Sequence, residues 1–403
     1  MRILNVTQSY APFFEFGGPP VKVRALAEGM AKRGHQVTVL TADWGIEKRL
    51  KESPVAPPAS AGPFGRTQIV NGVTAVYLPT WLHFRTASWN PALGRYLRAR
   101  LSDFDVLHIY GLYDFLGPRA ALECRARKIP YIVEPIGMFV PIVRNFRMKR
   151  LYHRIWGREM LESAAAIVAT AEQERDELLA GGVDPARIRL RRNGVDAPPT
   201  LPEPGSFRAR LQIPGDAQLV LFLGRLSRKK SPDLLLHAVS RLQQPPYRAG
   251  AVVHLAFVGP DEAGMKAKLM DAAKTSGIAQ RVHFCEPLTG QAKWQAYRDA
   301  HVFVLPSQNE NFGNTAAESI AAGTPVIVTD RCGIAPLLKD VAGLVVPHDQ
   351  EALTRALFQL LSDDGLYRKL RDGCATAASA LGWEEPLREM EMIYSSLASR
   401  RQT

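Results

Sequence analysis

Short apolar runs, closed by glycine, proline or charged positions, recur through this chain, and stretches of helical character lie between them. Arg2–Thr7 (RILNVT), Gln36–Leu40 (QVTVL), Val106–Tyr110 (VLHIY), Ala165–Ala169 (AAIVA), Leu219–Leu223 (LVLFL), Val252–Gly259 (VVHLAFVG), His301–Leu305 (HVFVL) and Pro325–Thr329 (PVIVT) are of this kind. In His301–Leu305 and Pro325–Thr329 the apolar residues are continuous rather than alternating, which suits strands covered on both faces. Such strands, separated by helices, predict an α/β architecture with parallel sheets. The N-terminus sets the rhythm with the strand Arg2–Thr7, a loop to Gly17-Gly18, a helix over Val21–Arg33 stopped by Gly34, and the strand Gln36–Leu40. This is a Rossmann-type unit without G-x-G-x-x-G, which argues against a dehydrogenase. Arg66–Leu78 predicts a hairpin about Asn71-Gly72, and the Pro-, Ala- and Gly-rich stretch Gly45–Gly65 an exposed loop.

Asn193-Gly-Val-Asp196 runs into a proline-rich segment of linker character, and a last helix, Trp383–Leu397, follows a break at Gly382. The chain therefore divides into 1–197, 198–381 and 382–403. Its 403 residues, 46% hydrophobic, are enough for two cores. The four cysteines, Cys124, Cys285, Cys332 and Cys374, form no C-x-x-C pair, so neither a disulfide framework nor a zinc site is expected and a reducing compartment is. No run reaches transmembrane length, and the N-terminus is interrupted too soon for a signal peptide, so a cytoplasmic protein is expected. The net charge of +12 favours an anionic partner. Because the cations are scattered through an α/β pattern with no nucleic-acid motif, phosphosugars and acidic membranes fit better than nucleic acid.

The richest stretch is Pro306–Asp330 (PSQNENFGNTAAESIAAGTPVIVTD). Glu310 and Glu318 bracket a loop containing Gly313, after which a helix-favouring run stops at Gly323 with Pro325 beyond. A loop at the carboxyl end of a buried strand, opening a helix, presents backbone N–H groups and a positive dipole end to an anion. A second such loop follows Leu219–Leu223: Gly224-Arg225-Leu-Ser-Arg-Lys-Lys230, then Ser231-Pro232-Asp233 as a helix start capped by Ser231. Arg225 and Lys230 lie on that loop, where two cations can neutralise a diphosphate leaving group as its charge develops. Asp103-Phe-Asp105 precedes its strand, at the end opposite a ligand, and is read as structural rather than metal-binding.

The whole pattern E-x-F-G-N-x-x-x-E from Glu310 to Glu318, followed by A-A-G-x-P-V-I, resembles the signature of retaining glycosyltransferases of family 4, group 1, which have the GT-B fold. The resemblance implies two Rossmann-like domains facing each other across a cleft, with a nucleoside-diphosphate sugar held mostly by the second. Sugar would pass to an acceptor sugar, free or lipid-linked, in polysaccharide or glycolipid synthesis; the alternative is a noncatalytic nucleotide-sugar-binding subunit. It further implies that Glu310 contacts the transferred sugar, that the amides of Asn311, Phe312, Gly313, Asn314 and Thr315 contact phosphate or sugar, and that Glu318 holds the ribose. Arg225 and Lys230 would stabilise the departing diphosphate in place of a metal, so no metal or cofactor is expected. Gly17 and Gly18 would cover the diphosphate from the N-terminal side. His108 would face the sugar or leaving phosphate, although Tyr110 stands where many relatives carry a second histidine, and which of the two reaches the donor stays open. Glu286-Pro287-Leu288 would touch the base, Asn193-Gly-Val-Asp196 would mark the interdomain junction, and the last helix would return to the N-terminal domain.

One segment stands apart from this pattern. Arg144, Arg147, Lys149, Arg150 and Arg154 mingle with Phe146, Tyr152 and Trp156 on a predicted helix. That mixture suits an anionic membrane surface or lipid-linked acceptor. It equally suits a solvated helix face over an aromatic core.

Overall fold

Runs such as Val302–Leu305 and Val326–Thr329, apolar on both sides of the pleat, become strands with every residue buried. The computed structural model describes residues 1–14, 17–46, 60–84, 87–140, 146–247 and 250–399. Arg144 and most of the expected loop Gly45–Gly65 lie outside the described residues. The chain forms two units: Met1–Asn193 with Trp383–Thr403, and the continuous stretch Gly194–Gly382. The proline-rich segment after Asn193 thus belongs to the second unit.

Unit 1 is built on a nine-stranded sheet. Its strands are β1 (Arg2–Thr7), β2 (Gln36–Ala42), β3 (Ser60–Gly62), β4 (Gly65–Val70), β5 (Val73–Leu78), β8 (Val106–Tyr110), β9 (Tyr131–Glu134), β10 (Ala166–Ala169) and β11 (Ile188–Leu190), with a separate small hairpin of β6 (Leu82–Phe84) and β7 (Ala87–Trp89). The order is β11-β10-β9-β8-β1-β2-β5-β4-β3, parallel up to β5 and antiparallel beyond. The β4–β5 hairpin turns at Asn71 (φ 50°) and Gly72 (φ 80°), the two left-handed residues that an Asn-Gly turn supplies. The first helix, Gly18–Lys32, starts earlier than expected because Pro19 and Pro20 fit its first turn. The C-terminal helix, Glu384–Ser399, packs on this unit: Leu387, Met390, Tyr394 and Leu397 join the core cluster of Ile3, Val23, Ala27 and Val39.

Unit 2 carries a six-stranded parallel sheet of β12 (Gln218–Leu223), β13 (Val253–Val258), β14 (Val282–Cys285), β15 (Val302–Leu305), β16 (Val326–Thr329) and β17 (Gly343–Val346), in the order β14-β13-β12-β15-β16-β17. Helices cover both faces, and two clusters fill the layers: one around Leu221, Phe303 and Ile320, the other around Phe222, Leu235 and Leu357. Ser231 occupies the expected cap position before the helix Pro232–Arg241 but does not cap it. It adopts a left-handed conformation (φ 48°), and its hydroxyl lies 2.9 Å from His348 Nε2 instead.

Candidate active site

In an open α/β sheet, ligands gather outside the carboxyl ends of the strands where strand order reverses. In unit 2 that point lies between β12 and β15, and the loops after these two strands carry the sequence candidates. After β12, Gly224 leads to Arg225, and a 3₁₀ turn over Arg228–Lys230 leads to the helix Pro232–Arg241. After β15, residues 306–313 lead to the helix Asn314–Ala321, which opens on Gly313 with φ 106°. A Cβ at that glycine would stand 3.0 Å from Ile334 Cγ2 in a left-handed backbone, so both space and conformation demand glycine.

The two loops are tied together. The Gln308 amide donates to the Lys229 carbonyl at 2.9 Å, and the Lys230 ammonium donates to the Glu310 carboxylate. These side chains are 22% and 19% exposed, shielded yet reachable. The Glu310 amide donates to the Arg331 carbonyl, and the Glu310 carbonyl accepts from the Gly333 amide, both at 2.9 Å, which fixes the carboxylate's base. Phe312 is an anchor: its ring is buried in the core beneath the loop, leaving only main-chain atoms for a ligand. Asn311, Asn314 and Thr315 are half-buried around Gly313, where the helix N-terminus concentrates positive charge. Arg225 stands at the same strand end, half-exposed, with its guanidinium 3.4 Å from Glu262 rather than in the Lys230–Glu310 pair.

Glu318 lies further along the helix with both carboxylate oxygens engaged. Oε1 accepts from Lys293 Nζ at 2.8 Å and Oε2 from the Tyr297 hydroxyl at 2.9 Å. Burial, and then the nearby Glu318, raise the Tyr297 pKa well above its ordinary value, so the phenol stays a donor. Sequence reading missed Lys293 and Tyr297. The only signal is their i,i+4 spacing on the helix Gly290–Asp299, and nothing local points to a carboxylate 21 to 25 residues later.

Gly17, Gly18 and His108 belong to unit 1. Gly17 (φ 90°) and Gly18 are exposed where the first helix begins. The expected donor-facing role of His108 is corrected: its ring is wholly enclosed, and so is the alternative, Tyr110. His108 Nδ1 lies 2.8 Å from the Tyr394 hydroxyl, Nε2 lies 3.5 Å from Glu134, and the ring stacks on Tyr110 with centroids 3.9 Å apart. Burial, opposed by Glu134, pushes the His108 pKa down to about 3, so the ring is neutral. Glu134 also pairs with Lys22 and, at 2.5 Å, with Arg191, and all three side chains are buried. The resemblance implied a ligand at this ring, and Tyr394 of the C-terminal helix stands against it instead. Asp103 and Asp105 are structural, bonded to Arg100 Nε at 2.5 Å and to the Arg2 amide at 2.7 Å. Among the described residues no group of three His, Cys, Asp or Glu side chains could hold a metal ion.

Two family models account for most of the chain. A glycosyl transferase 4-like domain matches residues 17–194, and glycosyl transferases group 1 matches residues 205–378, the stretch that holds Arg225, Lys230, Glu310 and Glu318. The chain belongs to the group 1 glycosyltransferases. A D-inositol 3-phosphate glycosyltransferase of Streptomyces bingchenggensis is 35% identical over 252 residues, a match spanning 60% of this chain and little more than half (55%) of the relative. One from Catenulispora acidiphila is 28% identical over 402 residues, 94% of this chain and 91% of the relative. In fold, the chain is similar to sucrose-phosphate synthase from Thermosynechococcus elongatus (TM-score 0.75, 21% identity, 99% of both chains). It is also similar to Anabaena HepE in complex with UDP and glucose (TM-score 0.74, 17% identity, 98% of this chain and 100% of that one). Its fold class is GT-B.

Proposed function

We propose that this glycosyltransferase moves a sugar from a nucleoside-diphosphate sugar to an acceptor hydroxyl with retention of anomeric configuration. The reading rests on one observation: Lys230 and Glu310 are paired across the β12/β15 switch point, beside the helix N-terminus at Gly313. As the bond from the anomeric carbon to the diphosphate oxygen breaks, negative charge accumulates on the phosphate. Lys230 and the helix dipole are fixed in advance to receive it, and Arg225 adds a third positive element once it leaves Glu262. These groups take the charge-neutralising role that a metal plays elsewhere, so this reading needs no metal and no cofactor. Glu310, in contact with the ammonium, orients a hydroxyl of the transferred sugar and is not assigned as a covalent nucleophile. Glu318, held by Lys293 and Tyr297, keeps lone pairs for the ribose hydroxyls, while the amides around Gly313 bind phosphate or sugar. The inositol 3-phosphate in the relatives' names and the UDP bound to HepE make a phosphorylated cyclitol and a uridine donor the first compounds to try.

The test incubates purified protein with a panel of nucleotide sugars and acceptors, inositol 3-phosphate among them, with and without EDTA, and measures released nucleoside diphosphate and the anomer formed. Turnover should survive EDTA and give the donor's anomer. Lys230→Ala should cost about 10²–10³-fold in kcat, and Glu318→Ala should raise the donor KM. Undiminished turnover in both variants overturns the site assignment. Donor binding without turnover on every acceptor would favour a noncatalytic subunit.

A further inference from the structure

The helical stretch Phe146–Glu162 is continuous through a π-helical turn at His153–Gly157, and its described side chains fall into three stripes. Lys149, Tyr152 and Trp156 face the protein: Lys149 sits 4.9 Å over the Tyr113 ring, Tyr152 packs edge-on to Tyr113, and Trp156 packs edge-on to Phe115. One residue back along the helix, Met148, Leu151 and Ile155 point to solvent at 58%, 57% and 48% exposure. An ordinary surface helix buries its apolar stripe and leaves polar residues outside. This one has a second apolar stripe facing out.

The third stripe, Arg147, Arg150 and Arg154, runs beside the exposed apolar one. All three arginines are exposed, with no acidic partner among the described residues, whereas Arg158 in the same stretch is paired with Glu162. Residues 146–158 hold five Lys or Arg and no acid. The apolar surface continues from the half-exposed Trp156 through Phe115 to Trp89, ring to ring at 5.7 and 6.1 Å, and Trp89 is 52% exposed. The strip stands on the loops that follow β5, β8 and β9, at the carboxyl edge of the unit 1 sheet.

We infer that this strip is a docking surface for an anionic lipid bilayer, with Met148, Leu151 and Ile155 entering the interface and Arg147, Arg150 and Arg154 meeting the headgroups. Apolar side chains that enter the acyl boundary, a flanking cationic row and tryptophans at headgroup depth are what interfacial binding requires. An acidic protein partner would satisfy the arginines but would not call for three adjacent aliphatic side chains with no pocket to fill. The inference extends the proposed function on the acceptor side and rests on that reading only for the idea that the docked enzyme glycosylates a membrane-held acceptor. Docking itself is independent of the donor site.

Full-length protein is sedimented with vesicles of phosphatidylcholine and with vesicles of equimolar phosphatidylcholine and phosphatidylglycerol. Binding is expected to the anionic vesicles only and to weaken as salt is raised. Each interfacial cation contributes about a factor of five, so R147A/R150A/R154A should lower partitioning about a hundredfold. M148S/L151S/I155S should weaken it with the charge intact. Both variants should release nucleoside diphosphate from a water-soluble donor at the parent's rate, so loss of docking and loss of the donor reaction are read separately. Equal binding to both vesicle types, no binding to either, or unchanged binding by both variants overturns the proposal. Retention on an acidic protein matrix with no vesicle binding would overturn it in favour of a protein partner.

Discussion

At the scale of single residues, the candidate site and the buried cluster of unit 1 use the same charges to opposite ends. Lys230 and Glu310 are a fifth exposed and can exchange partners, whereas Glu134, Lys22 and Arg191 are sealed. The placement of Glu310 and Glu318 was legible because short-range spacing on one loop and helix fixes where they go, and that of Lys230 because its own loop follows the neighbouring strand β12. The partners of Glu318, and the burial of His108, were not, because they depend on Tyr297 and Tyr394 arriving from other parts of the chain. The enclosed histidine leaves a pH signature. Burial first, opposed by Glu134 and reinforced by Arg191 and Lys22, holds the folded pKa at about 3 against an ordinary 6.5. The unfolded chain therefore takes up a proton between those values that the native site refuses, and stability rises with pH across that window. Glu134 acts in the same sense at lower pH: burial would raise its pKa, but Arg191, Lys22 and His108 bring it from 4.5 down to about 2. Thermal midpoints measured from about pH 3 to 6.5 should climb less steeply in His108→Phe than in the parent, even though the variant also loses the Tyr394 contact and melts lower throughout. Equal slopes would mean that His108 titrates freely in the native protein.

At the scale of elements, the apolar runs and the Asn71-Gly72 turn were readable because a buried parallel strand and a two-residue hairpin each leave a local mark. The role of Ser231 was misread for the opposite reason. A serine before a proline at a helix start fits a cap by sequence, yet its left-handed backbone turns the hydroxyl toward His348. The C-terminal helix Glu384–Ser399 shows how far an element's importance can lie from its sequence signal. Met390 is fully buried, Leu387 packs where a Cβ on Gly29 would come within 2.4 Å of it, and Glu391 bonds Arg33 at 2.9 Å and His35 at 2.8 Å. Met390→Ala should destabilise the full chain by about 2–5 kcal/mol in urea unfolding, the range for a buried large-to-small change that the surroundings only partly refill. A loss below about 1 kcal/mol would mean that the helix is not docked as a core element.

At the scale of the whole molecule, the two units differ in how the chain builds them. Unit 2 is one uninterrupted stretch whose two core clusters, among the described residues, draw on none outside it, whereas unit 1 closes its core with residues that follow unit 2 in sequence. A fragment of residues 194–382 therefore retains its whole core and every unit 2 site residue, from Arg225 to Glu318. A fragment of residues 1–193 loses Leu387, Met390, Tyr394 and Leu397 and opens the His108 cluster to water. Losing four buried side chains from one core cluster, and with them the Tyr394 hydroxyl that partners His108, is strongly destabilising. The first fragment should unfold cooperatively on heating, followed by circular dichroism, and bind a nucleoside diphosphate in equilibrium dialysis, with affinity reduced by Lys230→Ala. The second should show no cooperative transition unless a peptide of residues 383–403 is added. If the 194–382 fragment folds and shows no nucleotide binding that depends on Lys230, the Lys230–Glu310 loops are not the principal diphosphate site, and the donor must be held chiefly by the other unit.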